Sequence, residues 1–339
     1  MANEPEAARV RWGVLSTANI GRRVVVPSIV ASSNGVLTSV ASRESARAEA
    51  YANEFGGVRA HGSYEALLAD PEVDALYVPL PNALHEAWTV RALEAGKHVL
   101  CEKPLAPTAA ACRRMGDAAA ANGRLLMEAF MYRFHPRTRA VARLVADGAI
   151  GRPRRLDAAF SFTVRRPDDV RLSAELAGGA LLDVGCYTVD AARRTLGEEP
   201  VEAVAFATYG DSGVDVETVG LLRFPSGAVA NVACALTLPR RERVEVHGDA
   251  GSVAVDRAFV ASHDALGYDV ADGAGSVVRH ELDGVDQYRL MVEAFADRVL
   301  GRAVDAPASD AAEAARTVAA VEALAASARQ GGVPVAVAG

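Results

Sequence analysis

The segment Trp12-Gly13-Val14-Leu15-Ser16-Thr17-Ala18-Asn19-Ile20-Gly21 joins a short apolar run to a helical stretch, with small residues spaced Ser16-x-Ala18-x-x-Gly21. A G-x-G-x-x-G turn at such a junction lets backbone N–H groups approach a pyrophosphate at the positive end of the helix. Ser16 and Ala18 are small enough for a looser version of that turn, and Gly21 keeps helix and strand close. The spacing points to a dinucleotide held by Ser16, Thr17, Ala18, Asn19 and Ile20, with an ordinary strand–helix turn as the other reading. The next strand-like run ends Val40-Ala41-Ser42-Arg43-Glu44. An NAD site commonly carries an acid there; a hydroxyl and a guanidinium suit a 2′-phosphate instead, because Arg offers a planar fork of donors. Glu44 runs against this, unless it serves the positive end of the following helix. The expected cofactor is NADP, with NAD left open.

Tyr77-Val78-Pro79-Leu80-Pro81-Asn82-Ala83-Leu84-His85 and Cys101-Glu102-Lys103-Pro104 also follow short apolar runs. Ligands of open α/β sheets bind at the carboxyl ends of strands. Pro79, Leu80, Asn82, His85, Glu102 and Lys103 therefore join the candidate cofactor contacts. Pro104 restricts Lys103 to extended backbone, which fixes where its ammonium starts. Further on, Gly178-Gly179 precede Asp183 and Tyr187, whose i, i+4 spacing sets both on one face of a helix. The stretch from Phe160 to Arg171 mixes aromatic walls with hydrogen-bond donors. Phe162, Arg171 and Tyr132 are the substrate candidates, an edge strand and turn being the other reading. His85, His98 and His135 are scattered and no C-x-x-C pair occurs, so no metal site is expected.

These residues need a frame of strands and helices. From Val10 to Glu128, apolar runs alternate with helical stretches, each bounded by Gly, Pro or Asn, which reads as a doubly wound parallel sheet. After Gly151 one helix near Leu182 to Thr195 is followed by strand-like runs from Ala203 to Val255, joined by tight turns. That order implies a mainly antiparallel sheet, hence an α+β domain. Helices near Tyr288 to Leu300 and Ala311 to Arg329 close the chain. The expected division is 1–128 and 129–339, the C-terminal helix having the option of packing back on the first domain. With 339 residues, half of them hydrophobic, the chain has material for two cores. A net charge of −7 argues against nucleic acid and anionic membranes as partners. No apolar run could span a bilayer, and Met1 to Arg9 lacks a signal-like stretch. Cys101, Cys112, Cys186 and Cys234 lie far apart, as reduced thiols in the cytoplasm would.

Four motifs then occur in order: Pro81-Asn82-x-x-His85, Glu102-Lys103-Pro104, Glu128-Ala129-Phe130-Met131-Tyr132-Arg133-Phe134-His135-Pro136 and Gly178-Gly179-x-x-x-Asp183-x-Gly185-x-Tyr187. With them the chain resembles the glucose–fructose oxidoreductase, inositol dehydrogenase and rhizopine-catabolism (Gfo/Idh/MocA) oxidoreductase family, over nearly its whole length. The resemblance implies a Rossmann domain, then an α+β domain on an open-faced antiparallel sheet, with the active site between them. It also implies that Lys103 orients substrate and tunes the acid–base group, and that Asp183 matches the family's aspartate. Many members carry His four positions beyond that Asp. Tyr187 stands there instead, pointing away from inositol dehydrogenases and toward sugar dehydrogenases, dimeric dihydrodiol dehydrogenases and deoxysugar ketoreductases. A phenol with pKa near 10 is a poor base at neutral pH, so a nearby ammonium must favour phenolate, and Lys103 is the candidate. The expected reaction is hydride transfer between NADP and a carbinol or carbonyl carbon of a monosaccharide-like substrate such as an aldose. The alternatives are a nucleotide-linked keto-deoxysugar, its diphosphate met by Arg165, Arg166, Arg240 and Arg241; a trans-dihydrodiol; and a non-catalytic cofactor-binding sensor. A homodimer or homotetramer is expected.

Overall fold

The computed structural model describes residues 8–261 and 263–339, so most of the Met1 to Arg9 stretch lies outside the described residues. The chain divides into two compact units: residues 1–105, 111–134 and 286–312 form unit 1, and 106–110, 135–285 and 313–339 form unit 2.

Unit 1 holds β1 (Val10–Leu15), β2 (Gly35–Ala41), β3 (Arg59–His61), β4 (Ala75–Val78), β5 (His98–Cys101) and β6 (Leu126–Glu128). All pair in parallel, in the order β3-β2-β1-β4-β5-β6. Their near-continuous burial explains why these strands read as short apolar runs rather than alternating ones. Because every strand points the same way, Ser16, Ser42, Pro79 and Glu102, each the first residue after a strand, meet at one edge of the sheet. The order reverses between β1 and β4, where a crevice opens outside the carboxyl ends. The helix Gln287–Val299 packs on this sheet: Phe295 lies 4.8 Å from Trp12, ring to ring, and both are fully buried. Asn34 donates to the Glu293 carbonyl (2.9 Å) and to Asp297 (2.8 Å), which fixes that helix along its length.

A buried carboxylate fastens β2 and β3 to the entry of β4. Asp70 accepts from Ser39 (3.0 Å), Arg59 (2.6 Å) and the Glu72 amide (2.9 Å), and lies 3.0 Å from His61 Nε2. Lys97 Nζ donates to the carbonyls of Asp70 (2.6 Å) and Val73 (2.8 Å).

Unit 2 holds β7 (Pro153–Thr163), β8 (Glu202–Tyr209), β9 (Asp215–Arg223), β10 (Val229–Ala235), β11 (Thr237–Gly248), β12 (Gly251–Asp256), β13 (Leu266–Asp272), β14 (Val277–Leu282) and β15 (Val335–Ala336). The sheet order is β14-β13-β12-β11-β7-β10-β9-β8-β15. Neighbours run antiparallel except β7 and β10, which are parallel with Val229 opposite Arg155. The sheet is mainly antiparallel, as its turns imply, with one parallel pair that makes it mixed. Turn signals reveal hairpins, whereas a parallel pair is made by a long crossover that leaves no local mark. Inward residues alternate along the strands, as with Leu156, Ala158 and Phe160 on β7 and Ala230, Val232 and Cys234 on β10. The helix Cys186–Leu196 packs on β7 and β10. Its Arg193 donates to Glu199 (2.5 Å) and to Thr317 (2.6 Å) of the helix Ala311–Arg329. Phe206, Val219 and Leu221 are exposed on β8 and β9.

Among the described residues no helix is long and apolar enough to cross a membrane, and no group of His, Cys, Asp or Glu could hold a metal ion. All four cysteines are buried thiols.

The Asp70 cluster makes unit 1 acid-sensitive in a defined window. Burial alone would raise the Asp70 carboxyl, but hydrogen bonds from the Glu72 amide, His61, Ser39 and Arg59 outweigh it and hold the group down at about 2, against an ordinary 3.8. A carboxylate depressed by folding stabilises the chain above its unfolded value and loses that contribution as pH falls toward its folded value. Asp70→Asn should therefore lower Tm at neutral pH and flatten the decline of Tm from about pH 5 to about pH 3. A decline as steep as that of the wild type would assign the acid sensitivity to other carboxylates.

Candidate active site

The turn after β1 departs from a glycine fingerprint at its first position. Ser16 has φ +147°, backbone that favours glycine and costs another residue on the order of 1–3 kcal/mol. Its hydroxyl offsets this by donating to the Pro79 carbonyl (3.1 Å) and accepting from the Ala18 amide (3.2 Å). The first of these bonds joins the ends of β1 and β4, where the strand order reverses. The Arg22 amide donates back to the Ala18 carbonyl (3.1 Å), so the helix starts there. The amides of Asn19, Ile20 and Gly21 therefore lack intrahelical acceptors. Thr17 and Ala18 are half-buried, and Asn19 and Ile20 are exposed, which leaves this helix end open to a phosphate.

At the tip of β2, the Ser42 amide donates to the His61 carbonyl (3.1 Å), and Arg43 is exposed. The Glu44 carboxylate lies 3.0 Å from Arg47 of its own helix. The acid is thus met by a cation of its own helix, and the tip exposes the Arg43 guanidinium above a buried Ser42, whose hydroxyl accepts from the Glu44 amide (3.4 Å).

The loops after β4 and β5 are held to each other. His85 is fully buried, with Nε2 2.7 Å from the Leu80 carbonyl and Nδ1 2.9 Å from the Pro104 carbonyl. Burial lowers its proton affinity although both carbonyls pull the other way. Its ring reaches backbone on both sides, so His85 shapes the site by tying the loops rather than by offering a nitrogen to a ligand. Tyr77 donates to Glu102 (2.6 Å); burial, then the neighbouring carboxylate, raises its phenol well above the usual value and keeps it a donor. Lys103 follows, half-buried, and its bond to the buried Pro104 is cis. Leu80 is buried and Asn82 half-buried on the facing loop.

Under the lysine loop lies the Glu128 motif. Glu128 accepts from the Leu105 amide (3.0 Å) and lies 3.2 Å from Arg133, both side chains having no exposed surface. Arg133 donates to Ser309 (2.7 Å), which donates to the Glu128 carbonyl (2.8 Å). The guanidinium lies 4.3 Å from the Phe130 ring centre, and Tyr132 meets Phe130 edge-on at 5.5 Å. Tyr132, a substrate candidate in the sequence, is buried in this packing.

In unit 2 the second motif builds a helix start. Gly179 has φ +114°, and its amide donates to the Arg171 carbonyl (2.8 Å). A Cβ at Gly178 would run into that same carbonyl, so both glycines are required for the close approach. Asp215 of β9 accepts from the Leu181 amide (2.7 Å) and from Thr218 (3.1 Å). The helix begins with a π-turn over Leu181–Gly185 and continues as Cys186–Leu196, so Asp183 and Tyr187 fall on either side of the change of pitch. Such π-turns recur at functional sites.

Tyr187 is buried at 4% exposure, its ring 5.3 Å from both Phe160 and Phe259, which stack on each other at 5.2 Å. Glu242 of β11 holds Phe259 in place by accepting from the amides of Phe259 (3.1 Å) and Val260 (2.6 Å). Neither Phe259 nor Glu242 was singled out from the sequence. Glu242 had a readable signal: it shares the parity of the inward Val244 and Val246, where an acid is unexpected. Arg171 Nε donates to Asp183 (2.7 Å) and Nη1 to Asp169 (3.1 Å), and its guanidinium lies 5.6 Å from the Phe162 ring centre. Phe162, Arg171 and Asp183 therefore meet within unit 2. Ser16, Ser42, Pro79, Glu102 and Lys103 meet at one sheet edge of unit 1.

The two sets differ in chemistry. Unit 1 offers an open helix end, a cationic tip and an ammonium at the carboxyl edge of a parallel sheet, which fits a dinucleotide. Unit 2 offers a phenol among aromatic rings beside an ion pair. Comparison with known proteins agrees. Residues 10–130 match the oxidoreductase family with an NAD-binding Rossmann fold, and residues 138–254 match the GFO/IDH/MocA C-terminal domain. A D-xylose 1-dehydrogenase (NADP(+)) of Haloferax volcanii is 42% identical over 85% of this chain and 88% of its own. A dTDP-3,4-didehydro-2,6-dideoxy-alpha-D-glucose 3-reductase of Streptomyces violaceoruber is 40% identical over 88% of each chain. The crystal structure of a 3-ketoreductase from Actinomadura kijaniata in complex with NADP and TDP-benzene superposes with a TM-score of 0.88 at 32% identity, covering 94% of this chain and 98% of that one. On the strength of both matched domains and of relatives that span nearly the whole chain, this protein belongs to the GFO/IDH/MocA family and is an oxidoreductase built on an NAD-binding Rossmann unit.

Proposed function

We propose that the enzyme transfers hydride between NADP and a carbinol or carbonyl carbon of a monosaccharide-like substrate, with an aldose as the reference case. The observation that carries this reading is the chemistry each unit offers by itself. Lys103 stands on the ligand edge of the Rossmann sheet, and Tyr187 is enclosed by Phe160 and Phe259. When bound, NADP supplies or accepts the hydride. Tyr187 takes the carbinol proton on oxidation and returns it on reduction. The Lys103 ammonium favours the phenolate and steadies the reacting oxygen. Asp183 orients the substrate hydroxyl beside the tyrosine. The aromatic rings keep water from the phenol, which strengthens each of these charge effects.

The basic residues support a simple sugar over a nucleotide-linked one. A diphosphate needs cations, yet Arg166 donates to Asp168 (2.8 Å) and Arg240 is paired with Glu242. We assign the enzyme to the cytoplasm, where four reduced, buried thiols persist and NADP is available. We also assign it a homodimeric or homotetrameric state, through the apolar stripe on β8 and β9 where Phe206 pairs with Val219 and Val204 with Leu221.

Lys103→Met and Tyr187→Phe should each lower kcat by roughly 10²–10⁴-fold, and the double variant should lose far less than the product of the two. A panel of aldoses, keto sugars and a trans-dihydrodiol, followed by cofactor absorbance, identifies the substrate class. Near-normal turnover of Tyr187→Phe would move the proton role to another group.

At the β2 tip, charge-assisted bonds from Arg43 to the 2′-phosphate are worth about 1.5–3 kcal/mol each before exposure weakens them. The enzyme should prefer NADP roughly 10–100-fold in kcat/KM. Ser42→Asp with Arg43→Ala should reverse that preference, adding repulsion to lost attraction. A wild type that already prefers NAD would leave Arg43 no role in phosphate recognition.

Light scattering should show a dimer or tetramer that Phe206→Glu dissociates. A wild type monomeric at all concentrations would remove the stripe's assigned role.

A further inference from the structure

Arg171 sits where three constraints meet. Its carbonyl accepts the Gly179 amide (2.8 Å), and its amide donates to the Asp169 carboxylate (3.0 Å), so its backbone is fixed on both sides. Its Nη1 returns to that same Asp169 oxygen (3.1 Å), and its guanidinium lies 5.6 Å from the centre of the Phe162 ring. With its stem held this way, Nε points at Asp183 Oδ2 (2.7 Å). The Arg171 side chain keeps 40% of its surface exposed and the Asp183 side chain 13%. A guanidinium placed at random on the surface would gain little from one carboxylate. This one is pre-set by Asp169, Phe162 and a glycine turn, so little side-chain freedom is lost in making the contact. The Asp183 carboxylate in turn makes the guanidinium hold its proton more tightly than usual.

We propose that Arg171 is a positioning residue for the hydride-transfer reaction: it fixes the plane and the charge of the Asp183 carboxylate, within the π-turn that leads to Tyr187, rather than contacting the substrate itself. The proposal rests on the catalytic reading of Asp183 and Tyr187. It gives the Gly178-Gly179 pair a second purpose, because the turn they form seats Arg171 as well as starting the helix. It also accounts for Asp169, whose carboxylate serves the arginine twice.

The test measures kcat and KM for the best aldose of the panel with NADP+ in Arg171→Ala, Arg171→Gln, Asp183→Asn and the double variant Arg171→Ala/Asp183→Asn. In both Arg171 variants kcat should fall about 10–100-fold, the scale of a small misplacement, with KM changed by less than about threefold. The double variant should be no slower than Asp183→Asn alone. Guanidinium chloride at millimolar concentration should restore part of kcat to Arg171→Ala and none to Asp183→Asn. Thermal melts of the four proteins form a second cycle that needs no turnover: loss of the ion pair should appear as non-additive shifts in Tm. Losses that multiply, additive Tm shifts, or a raised KM with kcat intact would overturn the proposal, the last making Arg171 a substrate contact. Full turnover in Asp183→Asn and Tyr187→Phe would instead remove the catalytic reading beneath it. If Arg171→Ala fails to fold, Arg171→Gln keeps most of the side chain's length and carries the same comparison.

Discussion

A buried imidazole stands between the loops that follow β4 and β5, and the geometry of the unit 1 site depends on it. A neutral ring carries a single N–H, so only one of the His85 contacts to the Leu80 and Pro104 carbonyls is a donated bond. The other carbonyl faces a lone pair unless the ring takes a second proton, which burial resists. Either way, the imidazole fixes the separation of the cofactor-side loop and the lysine loop. Small residues elsewhere follow from this. Ser16 can reach the Pro79 carbonyl because the loop bearing Pro79 is already pinned a residue later. Glu128 and Arg133 close the frame from below, where breaking a fully buried pair would leave an uncompensated charge worth about 3–5 kcal/mol.

Unit 2 solves the corresponding problem with backbone rather than a ring. There, Asp215 and two glycines determine where a helix may begin. Helix starts are normally set by a side chain just ahead in sequence. Here the acceptor comes from a strand, so the helix direction is tied to the sheet. Asp183 and Tyr187 inherit their placement from the register of β9.

Much of this was legible in the sequence where chemistry and local pattern coincide. The apolar runs that lead to Pro79 and Glu102 are strands β4 and β5, because a parallel strand buried on both faces has few ways to be misread. The parallel pairing of β7 with β10 was not legible, because no local feature records which distant strand lies alongside. The roles of His85 and Tyr132 were only half legible. Their motifs marked them as important, but a motif does not distinguish a residue that touches a ligand from one that holds a loop. Phe259 stayed hidden for another reason: it lies in an irregular stretch and is placed by Glu242 through main-chain bonds that no periodicity reveals.

The parallel contact between β7 and β10 also sets the order in which the protein can be made. The strand Pro153–Thr163 leaves the ribosome well before Val229–Ala235, and everything between them, including the helix that carries Tyr187, lies inside the loop this contact closes. Closing so long a loop costs chain entropy before any pairing rewards it. During synthesis β7 therefore waits with the edge that β10 will occupy still open, and the tyrosine helix has no finished sheet to rest on. Unit 1 faces a related delay, since Phe295 covers Trp12 only after nearly the whole chain has emerged. A nascent chain of this enzyme thus completes the turn after β1 early, and a chain truncated before residue 229 holds Tyr187 on a helix that has no β10 to pack against.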